Sequence, residues 1–241
     1  MMRRLWGALA LGSLLAIRVP AVPPQEPSRQ PFQVGTIEGR VTFVGTTIPR
    51  TAVIENLTDP EFCGTRHSLE DVIISKGTGG IRNVIVALVG PNLASSGMSG
   101  GRNLTINNHR CRFEPHIAVL QTGGVIRAVN TDRIFHTTHL YYGPLSKNLA
   151  LSPGASADQP TNRPGFVIVK CDIHGWMKAF VRVDDHPFHA VSDAQGKFRI
   201  ENVPEGSYTL EVWHEQFGEQ KLPVAVTTGK NTTVSLRYGK Q

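Results

Sequence analysis

Apolar residues in this chain recur in short runs, and many of these runs alternate apolar and polar positions, as a β-strand with one buried face does. Glycine, proline, asparagine and threonine separate the runs, and no long stretch has the 3.6-residue period of an amphipathic helix. The pattern predicts an all-β protein in which residues 90–102 and 147–164 are polar connections. The predicted strands are residues 36–44, 81–89, 104–106, 117–120, 125–129, 165–169, 179–183, 197–200, 208–213, 222–226 and 232–238.

The first residues have the pattern of a targeting segment. Residues 1–4 form a short basic segment, residues 5–17 form an apolar run, and Val19 and Ala21 stand where signal peptidase requires small residues. The run is shorter than the roughly 20 residues that cross a bilayer. We expect a signal peptide over 1–21, a Pro-rich linker over 22–34, and a periplasmic or secreted protein with no membrane span after cleavage. An uncleaved membrane anchor is the alternative.

The formal net charge of the chain is +6, but its lysines and arginines are scattered, with no run of five or more. No basic patch for nucleic acid is therefore expected.

Three cysteines in an exported chain leave one without a disulfide partner. Cys63 and Cys111 lie in polar, loop-like contexts and are the candidates for a disulfide bond. Cys171 follows an apolar strand and opens the sequence Cys171-x-x-His174-x-x-Met177. A free thiol at that position would oxidise unless a metal held it, so Cys171 is the candidate metal ligand.

A thiolate, an imidazole and a thioether within seven residues suit copper, because Cu(I) prefers soft sulfur ligands and Cu(II) accepts imidazole. Two histidines and one cysteine in a plane, with a long axial methionine, make the type 1 copper geometry. The second histidine must come from elsewhere, and residues 129–139 contain His136 and His139. On an extended strand these two rings point to opposite faces, so only one can face the metal.

Residues 103–184 resemble the cupredoxin family of blue copper proteins, and the loop after Cys171 is similar to that of amicyanin. The family segment N-x-[DE]-x-x-x-H is matched by Asn130, Asp132 and His136. The resemblance implies a Greek-key sandwich, with His139 as the alternative ligand. It implies one type 1 copper ion held by His136, Cys171, His174 and Met177.

This sequence also departs from the family pattern. Thr137 stands where the family usually has asparagine or serine, and its hydroxyl is expected to tie the two ligand segments together. The cysteine loop lacks the proline that the family often has beside its histidine. Trp176 is expected at the apolar rim of the site, where a partner protein would dock.

The end of the chain resembles a second family. Turns at Asp193–Gly196 and Pro204–Gly206 separate alternating strands, as in the carboxypeptidase regulatory-like (transthyretin-like) β-sandwich, over about fifty residues. The first strands of such a module have candidates much earlier, at residues 39–41 and 83–88. Two arrangements stay open: residues 35–91 and 186–238 form one sandwich into which the cupredoxin part is inserted, or the two domains follow in tandem.

A site with three planar ligands and a protein axial ligand has no open position for a substrate, which a catalytic metal needs. The sequence contains no His-x-His pair that would mark a second copper centre. We therefore expect a protein without enzymatic activity that carries single electrons between redox partner proteins. The alternatives are a copper-carrying or carbohydrate- or protein-binding accessory protein with a non-redox role, and an accessory subunit of a larger exported enzyme.

Overall fold

The computed structural model describes residues 33–47, 52–69, 72–94 and 102–239. The predicted signal peptide and nearly all of the predicted linker lie outside these residues, and Val34 already belongs to the first strand. The all-β prediction is confirmed, because the described elements are strands apart from one four-residue helix. The elements are β1 (Val34–Phe43), β2 (Val53–Glu55), α1 (Pro60–Cys63), β3 (Arg66–Ser68), β4 (Ile85–Val89), β5 (Leu104–His109), β6 (Arg112–Glu114), β7 (Ile117–Gln121), β8 (Val125–Asn130), β9 (His136–Tyr142), β10 (Leu145–Leu151), β11 (Ser156–Pro160), β12 (Gly165–Lys170), β13 (Lys178–Asp184), β14 (His189–Val191), β15 (Lys197–Pro204), β16 (Gly206–His214), β17 (Gly218–Val226) and β18 (Asn231–Tyr238).

The first of two sandwiches, here named the outer sandwich, combines strands β1 and β4 from the start of the chain with strands β14 to β18 from its end. Its sheets have the orders β15-β1-β18 and β14-β4-β16-β17. Strand β1 pairs antiparallel with β15 and parallel with β18, while β4 lies between β14 and β16. The chain leaves this sandwich after β4 and returns to it at β14, which is the nested order. Its core includes Ile37, Val86, Phe198, Leu210 and Leu236.

The strands between those two crossings form the second sandwich, here named the inserted sandwich. Its sheets have the orders β10-β9-β12-β13-β7 and β11-β8-β5-β6. Alternate residues of β8 and β12 are buried, as expected for strands with one face toward a core. The core between the sheets includes Ile106, Ile126, Leu140, Val167 and Val181. Burying side chains of this size contributes about 1.5–3 kcal/mol each.

The prediction that residues 147–164 form a polar connection is wrong. Strands β10 and β11 occupy most of this stretch, and each is the outermost strand of its sheet. Edge strands expose many side chains, and here most positions of both strands are exposed or half-buried. A segment with so few buried positions carries little apolar alternation, so the sequence pattern could not reveal it.

The predicted strand 81–89 begins four residues later than expected, at Ile85. Asn83 has a φ of 65°, in the left-handed region, and a strand cannot continue through that conformation. Ile81 instead forms an isolated bridge with Ile74.

The two sandwiches pack against each other through an aromatic cluster and an ion pair. The Trp213 ring lies 4.6 Å from the Phe166 ring and 5.2 Å from the Phe180 ring, measured between centroids. Beside it, the Glu215 carboxylate of the outer sandwich forms an ion pair with Lys178 of the inserted sandwich, with 2.8 Å between Oε2 and Nζ. Both kinds of contact join residues that are far apart in the chain.

Candidate metal centre

Strand pairing brings the predicted ligands to one end of the inserted sandwich. His136 is the first residue of β9, and Cys171 follows the last residue of β12. These strands are antiparallel neighbours in which Lys170 pairs with His139, so the start of β9 lies beside the end of β12. His174 lies in the short loop that joins β12 to β13.

Three side chains converge in this region. The Cys171 Sγ atom is 3.9 Å from His136 Nδ1 and 3.6 Å from His174 Nδ1. Both imidazoles are fully buried, and Cys171 is 3% exposed. Two donors about 2.0 and 2.3 Å from one ion, in a trigonal plane, lie roughly 3.7 Å apart. The spacing of the three donor atoms therefore fits a single ion between them.

Hydrogen bonds to two carboxylates orient the histidine rings. His136 Nε2 lies 2.9 Å from Asp132 Oδ2, and His174 Nε2 lies 3.0 Å from Asp59 Oδ2. An ionised carboxylate only accepts hydrogen bonds, so Nε2 of each ring carries the hydrogen and donates it. In the neutral rings Nδ1 then keeps its lone pair, and both Nδ1 atoms face the cysteine sulfur. This is the tautomer that metal coordination requires.

The Cys171 thiol is poised to ionise. Burial favours the neutral thiol, but hydrogen bonds with His136, with His174 and with the backbone of His174 and Thr137 outweigh it and lower the pKa of Cys171 to about 5. Burial likewise disfavours charge on His174, yet its contacts with Cys171 and Asp59 raise the pKa of that imidazole. A thiolate is the form that binds metals, so the donor set suits a soft metal ion such as copper.

The segment that carries His136 is held by the first residues of the N-x-D-x-x-x-H pattern. The Asn130 side-chain amide donates to the carbonyl oxygens of Ile134 at 2.8 Å and Leu151 at 2.9 Å. The Asp132 amide donates to Asn130 Oδ1 at 3.0 Å, which places the Asp132 carboxylate beside His136. The pattern thus has a physical basis, since Asn130 shapes the turn and Asp132 orients the imidazole.

Thr137 joins the two ligand segments, as the sequence suggested. The Asp172 amide donates a hydrogen bond to Thr137 Oγ1 at 2.8 Å, next to the cysteine. The hydroxyl therefore ties the start of β9 to the residue that follows Cys171.

Met177 closes the loop. Its amide donates to the His174 carbonyl at 2.8 Å, and its carbonyl accepts from the Cys171 amide at 3.3 Å. The Met177 side chain is 2% exposed and belongs to the same apolar cluster as Cys171. The fourth predicted ligand is thus buried within the loop that carries two of the others.

His139, the alternative ligand, points away from this cluster. Its Nδ1 lies 3.0 Å from both carboxylate oxygens of Asp172, and its Nε2 lies 2.7 Å from Ser146 Oγ. Among the described residues, the groups that could hold a metal ion are His136–Cys171–His174 and Cys111–Asp132–His136. The second group offers no thiolate, because Cys111 forms a disulfide bond with Cys63.

Trp176 is only partly exposed, because His67 covers one face of its ring. The two rings stack with centroids 4.0 Å apart and an interplanar angle of 8°. The indole N–H donates to the Cys111 carbonyl at 2.9 Å. Exposed apolar side chains near the centre come instead from neighbours of the ligands, with Phe135 42% and Ile173 37% exposed.

Residues 53–68, here named the cap segment, contribute to the site in a way the sequence did not reveal. Strands β2 and β3 pair with each other, and α1 lies in the connection between them. The cap segment supplies Asp59 to His174 and Cys63 to the disulfide bond. The Asp-Pro pair signals a helix start, but no local pattern connects Asp59 with a residue 115 positions later.

Comparison with known proteins gives one family match. Residues 176–238 match the carboxypeptidase regulatory-like domain. This match includes β13 of the inserted sandwich, while β1 and β4 of the outer sandwich lie outside it.

Solved structures similar to this chain include several copper proteins. A mutant of amicyanin in the Cu(I) form has 16% identity and a TM-score of 0.31, covering 41% of this chain and 97% of that chain. A purple cupredoxin from Nitrosopumilus maritimus has 16% identity and a TM-score of 0.30, covering 34% and 98%. A copper-containing nitrite reductase from Thermus scotoductus SA-01 has 22% identity and a TM-score of 0.32; the match covers 34% of this chain and only 22% of the reductase.

No curated protein matches this chain. Within the described residues, no helix combines the length and the apolar character needed to cross a membrane.

Proposed function

We propose that this protein binds one copper ion through His136, Cys171 and His174, with Met177 as the axial ligand, and carries single electrons between redox partner proteins. The observation that carries the proposal is the convergence of two imidazole Nδ1 atoms on one buried thiol, 3.6 and 3.9 Å from its sulfur. When bound, copper supplies the exchange of one electron between Cu(I) and Cu(II).

The chain's own residues favour electron transfer over catalysis. Carboxylates hold both imidazoles from behind, and Thr137 ties the ligand segments together, so the ligands would move little when the charge changes. The three ligands are buried, and the buried Met177 would serve as the fourth ligand. A substrate would find no open position, and we therefore propose that the protein has no enzymatic activity.

Export to the periplasm or beyond is part of the proposal. The amino-terminal pattern supports it, and so does the Cys63–Cys111 disulfide bond, because such bonds persist in oxidising compartments. The partner proteins are a donor and an acceptor that meet the protein in that compartment.

The test is to load the purified protein with Cu(II), measure the copper content, and record the visible spectrum and a voltammogram. We expect one copper per chain, an intense blue colour that ascorbate bleaches, and a reversible one-electron wave. The blue colour arises from charge transfer between thiolate and copper, so Cys171→Ser should abolish it. His139→Ala is the matched control and should keep the spectrum.

Two outcomes would overturn the proposal. The first is a wild-type protein that takes up no stoichiometric copper. The second is a colourless Cu(I) complex that exchanges its metal readily, which would favour the alternative role of copper delivery. Loss of the blue colour in the His139→Ala variant would show that the first histidine ligand is assigned to the wrong residue.

A further inference from the structure

We propose that Asp59 of the cap segment is a positioning residue for the ligand His174, and that it sets the copper affinity and the midpoint potential of the centre. This inference rests on the proposed function. It adds to the site a residue from outside the strands that carry the ligands. Asp59 lies in the cap segment, which precedes the whole inserted sandwich in the chain.

The contact between Asp59 and His174 is direct. Asp59 Oδ2 accepts the Nε2 hydrogen at 3.0 Å, and the fully buried His174 ring presents its Nδ1 to Cys171 on the opposite side. The ring therefore lies between a carboxylate and the sulfur that would share its metal. A hydrogen-bonded carboxylate fixes ring orientation and makes the imidazole a stronger electron donor.

The backbone of the cap segment determines where this carboxylate lies. The buried Asn56 side chain donates to the carbonyl oxygens of Thr58 and Gly64, both at 2.8 Å, and accepts from the Thr58 amide at 2.8 Å. Asp59 itself has a φ of 49°, a left-handed conformation that aspartate and asparagine tolerate better than most residues. The amides of Phe62 and Cys63 then donate to its carbonyl oxygen. The side chain thus extends from a turn that is already ordered.

One disulfide bond connects the cap segment, which carries Asp59, with Cys111, whose amide contacts Asp132. Cys63 lies four positions after Asp59, and its partner Cys111 donates its amide hydrogen to Asp132 Oδ2 at 2.9 Å. Asp132 is the carboxylate on His136. The bond therefore attaches the cap segment to the stretch that holds the other imidazole. We infer that Asp59 acts on His174 as Asp132 acts on His136.

The effect on copper follows from charge. The Asp59 carboxylate is negative and hydrogen-bonded to a ligand, so it stabilises the doubly charged Cu(II) form more than the Cu(I) form. Its removal should weaken Cu(II) binding and raise the midpoint potential. Loss of such a ligand-orienting partner typically lowers metal affinity 10–100-fold.

The experiment compares four copper-loaded proteins: wild type, Asp59→Asn, Asp59→Gly and Glu61→Gln. Asp59→Asn removes the charge but keeps an acceptor oxygen and suits the left-handed backbone. Asp59→Gly removes the side chain and also accepts that backbone. Glu61→Gln is the matched control, because it removes an exposed negative charge from the short helix that begins directly after Asp59.

We expect Asp59→Asn to shift the midpoint potential to a more positive value and to lower Cu(II) affinity about tenfold, as measured by voltammetry and competitive titration. Asp59→Gly should lower the affinity further, toward 100-fold. Glu61→Gln should stay close to wild type in both measurements.

A blue, redox-active wild type whose Asp59→Asn and Asp59→Gly variants keep its potential and affinity would overturn the inference and leave the proposed function intact. Equal shifts in Asp59→Asn and Glu61→Gln would also overturn it, since a general charge effect would then suffice. A wild-type protein without copper would overturn both proposals. Asp59→Asn decides the question if the glycine variant fails to fold.

Discussion

At the scale of residues, the centre depends on which nitrogen of each imidazole carries hydrogen. Asp132 and Asp59 each accept an Nε2 hydrogen, so both Nδ1 atoms face Cys171. Neither histidine could be oriented by its immediate neighbours alone, because a ring has two nitrogens and several rotamers. The two predicted histidine ligands therefore have their orientation set by carboxylates outside the predicted ligand set.

The Met177→Leu variant tests the axial ligand. Leucine has a similar volume, so folding should cost less than about 1.5 kcal/mol, and copper should still bind to the three remaining ligands. The midpoint potential should rise, because a thioether donor that stabilises Cu(II) is lost. Voltammetry of the loaded protein measures this. An unchanged potential would contradict axial ligation by Met177, and urea unfolding of the metal-free forms checks that the variant is folded.

At the scale of elements, the outer sandwich is joined by contacts among β1, the loop before β4 and the turn between β14 and β15. The Val41 amide donates to the Gly196 carbonyl at 2.7 Å, and the Ile81 amide donates to the Val41 carbonyl at 2.9 Å. The early strand β1 thus lies between the loop before β4 and the turn before β15. This contact holds the two parts of the chain that build the outer sandwich together, at the end of β4 and β14 opposite to the insertion.

Gly80→Ala tests this closure. A Cβ at Gly80 would lie 2.0 Å from the Gln195 carbonyl oxygen and 2.2 Å from its carbon, so the loop and the turn would have to move apart. We expect a loss of about 1–3 kcal/mol in the free energy of unfolding, measured with urea. Gly77→Ala is the control, since a Cβ there meets no atom within 4 Å. Equal losses in the two variants would show that the close approach of Gly80 to Gln195 does not limit stability.

At the scale of the whole molecule, buried histidines make folding depend on pH. His214 is 1% exposed in the outer sandwich, where its ring stacks on Phe217 and its Nδ1 accepts a hydrogen bond from the Gln216 amide. Burial lowers the pKa of His214 to about 4, against the raising influence of Glu215. The folded protein therefore holds this imidazole neutral at pH values where the unfolded chain would protonate it.

The stability of the metal-free protein should fall as the pH drops from about 6.5 toward 4. The folded pKa of His214 lies below the unfolded value of about 6.5, so its contribution is fully present above that pH and is lost below it. At about 1.4 kcal/mol per pH unit, this residue lowers the free energy of unfolding by at most roughly 3 kcal/mol over that range. Urea unfolding at pH 7 and pH 4.5 measures it. The His214→Asn variant, which keeps an acceptor for the Gln216 amide, should show a smaller decline; an identical decline would contradict the assignment.

Much of the architecture could be predicted from the sequence. Strands such as β8 and β12 have one buried face, so their apolar residues alternate and are visible in the sequence. The edge strands β10 and β11 were missed because they bury few side chains. The start of β4 was misplaced because Asn83 has a left-handed backbone conformation, which interrupts the strand.

The sequence by itself determined the all-β class, because alternation and turn residues act locally along the chain. It also singled out Cys171, His174 and Met177, which lie within one loop, and it left nested and tandem orders open. Only the tertiary structure decided that β1 and β4 share sheets with the last strands, and that Asp59 meets His174 across 115 positions. The physical reason is that such contacts arise from strand pairing and a disulfide bond between segments far apart in the chain, and local patterns do not record them.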